Sequence, residues 1–459
     1  MTTYSAVVTT GIYCRPGCGA RPRADNVRTF EFAASAEAAG YRACLRCRPY
    51  RVAGSLPWDA PEFVCRAVKM IISGALDEGT EADLGDRLGL SGRHLRRLFQ
   101  EHLGLTPDQL ARSRRAHFAR RLLDDSDLTV AEIAFASGFG SLRQFNRTMQ
   151  DTFRESPTLL RQRRRSTDRL VADGGLVLRL AVTPPYDWDA MLAYLAARAI
   201  SGVEAVDGAV YRRTITLDGG PGLLEVRSGG PDQLLLSAHL PYWEGLIHVV
   251  ERVRRMLGLD LDQAPAGHLA DDPVIAPLVR ARPGLRVPGV WGPFEAGVYA
   301  AARQYFSRAE TRVRLGRLVQ AHGPLIPGLA HGLDRAFPAA ETLADADLGA
   351  LGLSSAEQAV RGFADAVANG KVRLDGSVGL DELVTALTTL GGFGPIAAQH
   401  LALRLGERDA FPATDLSLRY ALRALDPGAT DPAAVAESWR PWRALAAMHL
   451  LMYRETLPG

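Results

Sequence analysis

Lysine is nearly missing: of the 54 basic residues all but Lys69 and Lys371 are arginine. Chemistry that runs through a lysine amine therefore has two positions to use. Cysteine is also scarce, with five residues of which the last is Cys65, so nothing in the following 394 residues can act as a thiol nucleophile. No apolar run approaches the ~20 residues that span a bilayer, and the N-terminus lacks the charged and apolar regions of a secretory signal. These absences predict a cytoplasmic protein with no membrane partner and with reduced cysteines.

What is present fits an ordinary interior. At 459 residues, 47% hydrophobic and 23% charged, the chain has room for about three domains of ~150 residues. Its net charge of +3 conceals an asymmetry. Residues 1–169 hold 27 Lys and Arg against 19 Asp and Glu, net +8, whereas residues 170–459 hold 27 against 32, net −5. The N-terminal third is thus the stronger electrostatic partner for a polyanion such as DNA.

Cys14 and Cys18, then Cys44 and Cys47, form two close pairs across a basic loop. That spacing can set four thiolates around zinc without straining the backbone; two disulfides or free buried thiols are the alternatives. The segments TTGIYCRPGC, ADNVRTF and AAGYRACLRCRP resemble the N-terminal domain of the Ada DNA-repair regulators. The resemblance implies one zinc ion held by Cys14, Cys18, Cys44 and Cys47, with Cys14 also taking a methyl group from a methylated DNA phosphate. Losing one thiolate charge facing the phosphates should then tighten DNA binding. The lead MTTYSAVVTTGIYC into the first cysteine is shorter than is usual in that family. A methyl-acceptor domain for alkylated guanine, which some Ada proteins carry, has no counterpart cysteine here.

A Gly, Ser and Pro-containing linker, 52–61, leads into helical periodicity that runs to about Arg165. Two similar units lie within it, 82–107 and 129–157, each a short helix, a turn with glycine (Gly89, Gly138) and a second helix rich in Arg, Gln and Asn. The phrase AxxSGFxSxxxFNRxxxxxFxxSP at 134–157 resembles AraC-type double helix-turn-helix domains. In such units the second helix enters the major groove. Arg93, His94, Arg96 and Arg97 in the first, and Ser141, Arg143, Gln144, Asn146 and Arg147 in the second, are the expected DNA contacts, with Leu95, Leu98, Phe99, Leu142 and Phe145 as core. The run RQRRRS (161–166) reads as a phosphate-tracking or solvated charge block, and VADGG (171–175) as a hinge. Double-stranded DNA is the expected partner, with RNA polymerase as a second and a monomer as the working form.

From Leu176 the pattern changes to short strands and helices, LVLRLAV, YRRTITL, GLLEVRS and QLLLSAHL, an α+β unit closed by a helix at 243–257. PPYDWDAMLAYLAARAISGVEAVDG resembles the opening domain of AlkA-type alkylbase DNA glycosylases. The rest is helical by pattern. Within it, LGGFG at 390–394 matches the turn of a helix-hairpin-helix element, in which Gly392 and Gly394 would let main-chain amides meet a phosphate. Asp415 follows 21 residues after Gly394 and corresponds, by this resemblance, to the catalytic carboxylate that supports glycosidic bond cleavage of an extruded base. Lyase members use a hairpin lysine where this chain has Ile396, which implies a monofunctional enzyme leaving an abasic site.

The expected architecture is multidomain and mainly α with one α+β domain. Its parts are a zinc domain (1–56), a helix-turn-helix domain (62–165), an AlkA-type N-domain (174–282) and an all-α helix-hairpin-helix domain (283–459). Tyr194, Ile396, His400, Leu416 and Leu451 are the expected base pocket, though relatives in the AlkA group place tryptophans where this chain has Ile396 and Leu451. The segment AAARQYFS (300–307) also departs from its relatives. Two functions fit: repair enzyme and regulator together, or a regulator of the alkylation response whose glycosylase half has lost its chemistry.

Overall fold

A computed structural model describes residues 3–20, 22–51, 60–165, 168–170, 174–260 and 264–457. Most of the 52–61 linker, Ser166 and the start of the 171–175 hinge lie outside the described residues. Within them no helix is long and apolar enough to cross a membrane.

The N-terminal unit is a four-stranded sheet, β1 (Tyr4–Val7), β2 (Ile12–Cys14), β3 (Val27–Phe30) and β4 (Arg42–Ala43), in the order β3-β1-β2-β4. One helix, α1 (Ala33–Ala38), packs on it. Its edge strand β4 pairs parallel with β2, with Tyr13 opposite Ala43, and this register is what places the cysteines.

Seven helices follow: α2 (Glu62–Ile72), α3 (Glu81–Arg87), α4 (Gly92–Leu103), α5 (Pro107–Asp125), α6 (Val130–Ala136), α7 (Leu142–Phe153) and α8 (Pro157–Gln162). Six of them start on a Ser or Thr whose side chain accepts a backbone N–H of the first turn, from Thr80 and Ser91 to Ser141 and Ser156. Such caps satisfy amides that the helix cannot bond itself. The turns between α3 and α4 and between α6 and α7 pass through Gly89 and Gly138 at positive φ, where an L side chain is strained. Leu95, Phe99 and Phe145 are fully buried, as expected, and Leu98 is partly so. Leu142 is not core: it is the first residue of α7 and 42% exposed, because a side chain at that position precedes the buried stripe.

Residues 161–165 are not a free charge block either. Arg161 donates to Leu128 O, Arg164 to Ser126 O and Asp127, and Arg163 pairs with Glu155, so these arginines fasten the end of the domain.

A five-stranded antiparallel sheet comes next, β5 (Leu176–Ala181), β6 (Glu204–Asp207), β7 (Val210–Leu217), β8 (Gly220–Ser228) and β9 (Gln233–His239), in the order β5-β9-β8-β7-β6. It carries α9 (Trp188–Ala196) and α10 (Leu246–Met256). Then come α11 (Ala264–Leu269), α12 (Ala276–Ala281), α13 (Pro293–Arg303), α14 (Arg308–His322), α15 (Ala340–Ala344) and α16 (Glu357–Ala368). The last five helices are α17 (Leu380–Thr388), α18 (Pro395–Arg404), α19 (Leu416–Leu425), α20 (Pro432–Val435) and α21 (Arg443–Arg454).

Buried side chains form three clusters. The C-terminal helices share one with Tyr194, Ile200 and Val203, and α2–α4 form another. The third is continuous across three parts of the chain: Tyr13 of the first sheet with Tyr50 just after it, Phe145 and Phe153 of α7, and Leu178 and Leu236 of the second sheet. Helix α5 runs through the junction, and a charged cluster completes it. Asp124 accepts from Arg120, Arg51 and Tyr50, Arg48 reaches Asp168 at 2.5 Å, and Arg179 of β5 reaches Asp125 at 2.7 Å.

Candidate functional site

Parallel pairing of β2 with β4 sets the two strand ends side by side, and Cys44 N donates to Tyr13 O at 2.9 Å. Cys14 and Cys44 therefore leave the sheet as neighbours. Each begins a tight turn that brings a second cysteine back, closed by Cys18 N to Arg15 O at 3.3 Å and Arg48 N to Cys44 O at 3.0 Å. All four sulfurs lie within 4.8 Å of one another. Burial, then the charge of neighbouring cysteines, pushes the Cys14 thiol well up. Cys47 is pushed to about 12, with burial the largest cause, whereas backbone N–H groups of Cys47 and Arg46 overcome burial and lower Cys44. Four sulfurs gathered this closely, with Cys14 and Cys47 held up partly by their neighbours' charge, suit a cation, and an all-sulfur set of this size fits one zinc ion. Cys14 is the least exposed of the four, at 7%.

On the reading helices, Arg93, His94, Arg96 and Arg97 are all exposed, as are Ser141, Arg143, Gln144, Asn146 and Arg147. Three already have partners: Ser141 caps α7 through Gln144 N, Arg96 is paired with Glu81 at 2.6 Å, and Arg147 lies 3.9 Å from Asp151.

Asp415 caps α19. Its Oδ1 accepts from Ser417 N at 2.7 Å and Leu418 N at 3.2 Å, and its Oδ2 lies 2.9 Å from His400 Nε2. Burial by itself would raise this carboxyl, but the hydrogen bond and charge of His400, aided by the two backbone amides, outweigh it and hold Asp415 below the ordinary carboxylate range. It is anionic at neutral pH and can stabilise positive charge developing beside it. Sequence reasoning missed the His400 partnership, since two residues fifteen apart on different helices leave no local signal.

The hairpin turn falls between α17 and α18, with Gly392 at positive φ. Here Gln304 acts as a clamp. Its Oε1 accepts from Gly394 N at 2.7 Å and its Nε2 donates to Gly392 O at 3.3 Å, while Tyr305 OH donates to the same carbonyl at 3.0 Å. The Gly394 amide, expected to meet a phosphate, is thus taken by a side chain from the atypical 300–307 segment. The two lysines are elsewhere: Lys69 donates to Gly406 O and Lys371 pairs with Asp365.

The expected base pocket does not assemble as a set. Tyr194 is 9% exposed, with the Arg198 guanidinium 3.5 Å above its ring, so that face is covered. Leu416 stands 77% exposed and Ile396 37%, while Leu451 packs on the C-terminal core. Of the five, His400 is the one hydrogen-bonded to the Asp415 carboxylate.

Three family models match the chain: the metal binding domain of Ada over 2–50, a helix-turn-helix domain over 84–163 and the AlkA N-terminal domain over 177–292. DNA-3-methyladenine glycosylase 2 of Escherichia coli is 32% identical over 276 residues, 58% of this chain and 94% of that protein. The bifunctional transcriptional activator/DNA repair enzyme Ada of the same organism is 34% identical over 149 residues, 32% of this chain and 40% of that one. Among solved structures, a 3-methyladenine DNA-glycosylase from Archaeoglobus fulgidus superposes with a TM-score of 0.51 at 20% identity, over 60% of this chain and 98% of that one; this shows a common fold. A probable bifunctional transcriptional activator/DNA repair enzyme AlkA of Mycobacterium tuberculosis is 37% identical over 454 residues, 97% of this chain and 91% of that protein. With so much of both chains aligned, this protein belongs to the family of AlkA-type bifunctional transcriptional activators and DNA repair enzymes.

Proposed function

We propose that the chain excises alkylated bases of the 3-methyladenine class from DNA through Asp415, and couples this repair to promoter binding governed by methyl transfer to Cys14. The observation that carries the excision reading is the ionised Asp415, fixed by two backbone amides and His400 in a chain with one relative named as a DNA glycosylase and another as a DNA repair enzyme. In the cleavage step the electron pair of the glycosidic bond leaves with the base, and the carboxylate stabilises the cationic sugar until water adds. With both lysines engaged away from the hairpin, no amine is at hand for a Schiff base, so the product is an abasic site. In the methyl transfer, the Cys14 sulfur forms the new S–C bond, the O–C bond of the phosphotriester breaks, and the phosphate recovers its negative charge. Bound zinc keeps the thiols deprotonated at neutral pH. The exposed polar faces of α4 and α7 would read the promoter. The divisions 1–56, 62–165, 174–282 and 283–459 are the working units of a cytoplasmic monomer that also contacts RNA polymerase.

The test is release of free base from alkylated and hypoxanthine-containing duplex DNA by the full chain and by Asp415→Asn. Release that disappears in the variant supports the enzyme. No release from either protein, with promoter binding intact, refutes it in favour of a regulator with a silent glycosylase half. The covered ring of Tyr194 and the exposed Leu416 favour that second reading. For the other half, mass spectrometry after incubation with methylated DNA should find one added methyl, on Cys14, and about one zinc per chain.

A further inference from the structure

A cavity of about 620 Å³ opens where α2 and α10 meet the turn after α18. That is the size range of sites for small ligands, and a junction of domains is where such sites collect. Neither Asp415, the hairpin glycines nor the four cysteines line it. Its walls are strapped together by contacts between distant parts of the chain: Lys69 Nζ donates to Gly406 O at 2.7 Å, Arg255 to Ser73 Oγ at 2.6 Å, and His248 Nε2 lies 2.6 Å from Asp77.

The lining has a surplus of positive charge, six lysines and arginines against four carboxylates. Three of those acids are already engaged. Glu251 is held by Arg114 at 2.9 Å and Asp260 by Arg254 at 3.4 Å, both arginines from outside the lining, and Asp375 by Arg87 at 2.8 Å. Among the described residues no carboxylate lies within ion-pair distance of Arg252, whose guanidinium stands 5.5 Å from the Trp291 ring centroid. Burial and the like charges of Arg255 and Arg213 lower its proton affinity. Lys69 is lowered too, by burial first, with Arg255 and Arg408 adding to it against Glu407. An anion placed among these groups would relieve repulsion that the protein itself leaves uncompensated. His248 Nδ1 is buried with no partner. Three aromatic rings, Trp291, Phe294 and Trp442, stand among aliphatic side chains in the remaining wall, which suits a planar ring.

We propose that this cleft binds a small organic phosphate carrying a planar ring, a mononucleotide in size and charge, between the helix-turn-helix and glycosylase halves. The phosphate meets Arg252 and Lys69, and the ring lies against the aromatic wall. Because both halves contribute wall residues, occupancy favours their docked arrangement over any in which they part. The site is independent of base excision and of methyl transfer.

The test is calorimetric titration of the zinc-loaded full chain with adenosine 5′-monophosphate, with inorganic phosphate and with adenosine. The expected result is one nucleotide per chain, with phosphate or adenosine alone binding at least tenfold more weakly. Arg252→Glu, a variant that circular dichroism can show to be folded, should weaken nucleotide binding at least tenfold, as should Lys69→Met. Absence of binding at millimolar nucleotide overturns the proposal. So does affinity unchanged in both variants, or nucleotide released by undamaged duplex DNA, which would locate the binding on the DNA-reading surface.

Discussion

Asp124→Ala removes one carboxylate from the centre of the junction between the first sheet, α5 and β5. Asp124 is fully buried; its Oδ1 takes Arg120 Nη1 at 2.5 Å, and its Oδ2 takes Tyr50 OH at 3.0 Å and Arg51 Nε at 3.3 Å. The cluster of Arg48, Arg51, Arg120 and Arg179 with Asp124, Asp125 and Asp168 holds four cations against three acids. Alanine makes it four against two and leaves Arg120, 1% exposed and with its Nε already unpaired, without a counter-charge. Stripping the partner from a buried charge costs about 3–5 kcal/mol. Replacing both, as Arg120→Met with Asp124→Leu, keeps the surplus at one and should cost far less, since paired buried charges are often exchanged for apolar groups at little loss. Urea unfolding followed by circular dichroism measures both. A single variant within about 1 kcal/mol of the parent, or a double variant as unstable as the single, would refute the reasoning.

Gly297→Ala should also destabilise, because an ideal Cβ there falls 2.0 Å from Phe363 Cζ, and that ring is fixed by stacking on Phe294 at 5.8 Å between centroids. Forcing α13 from α16 costs about 1–3 kcal/mol, and an unchanged melting temperature would contradict it. His400→Ala removes what lowers the Asp415 carboxyl while its burial remains. The acid limb of base release, which reports protonation of Asp415, should therefore move to higher pH; an unmoved limb would show that His400 does not hold the carboxylate. Acid should loosen the junction around the cleft. Asp77 and Glu251 are both held below the ordinary carboxylate range: burial opposes this, but His248 and Arg115 outweigh it at Asp77, and Arg114 and Arg254 at Glu251. A depressed folded pKa gives stability that is complete above about pH 4 and is lost as pH falls through the folded values. Protease cleavage near 72–80 should accordingly change little from pH 7 to 5 and rise below about 4.

Much of the helix-turn-helix region was legible because its signals are local. Every helix start from α3 to α8 is written as Ser or Thr, and Gly89 and Gly138 mark the two turns. The cysteine set was legible because four ligands of one type at short spacing have few other uses. Strand β6 was not, since Glu204–Asp207 holds only the adjacent pair Ala205 and Val206 between two acids, without alternation, and pairing with β7 makes it a strand. Leu142 misled because helical spacing does not reveal that the first residue of a helix lies ahead of its buried stripe. Around Asp415 the sequence gives the carboxylate, while its partner His400, the Gln304 clamp and the arginine over Tyr194 depend on how separate helices meet.

The apolar cluster that runs from Tyr13 through Phe145 to Leu236 crosses two of the three seams in what reads as a row of four joined modules. An expression fragment that starts at the glycosylase half would display the inner face of its sheet bare to water, and one that stops after α8 would display the matching face of α5 and α7. Each piece would carry a sticky wound rather than a clean end.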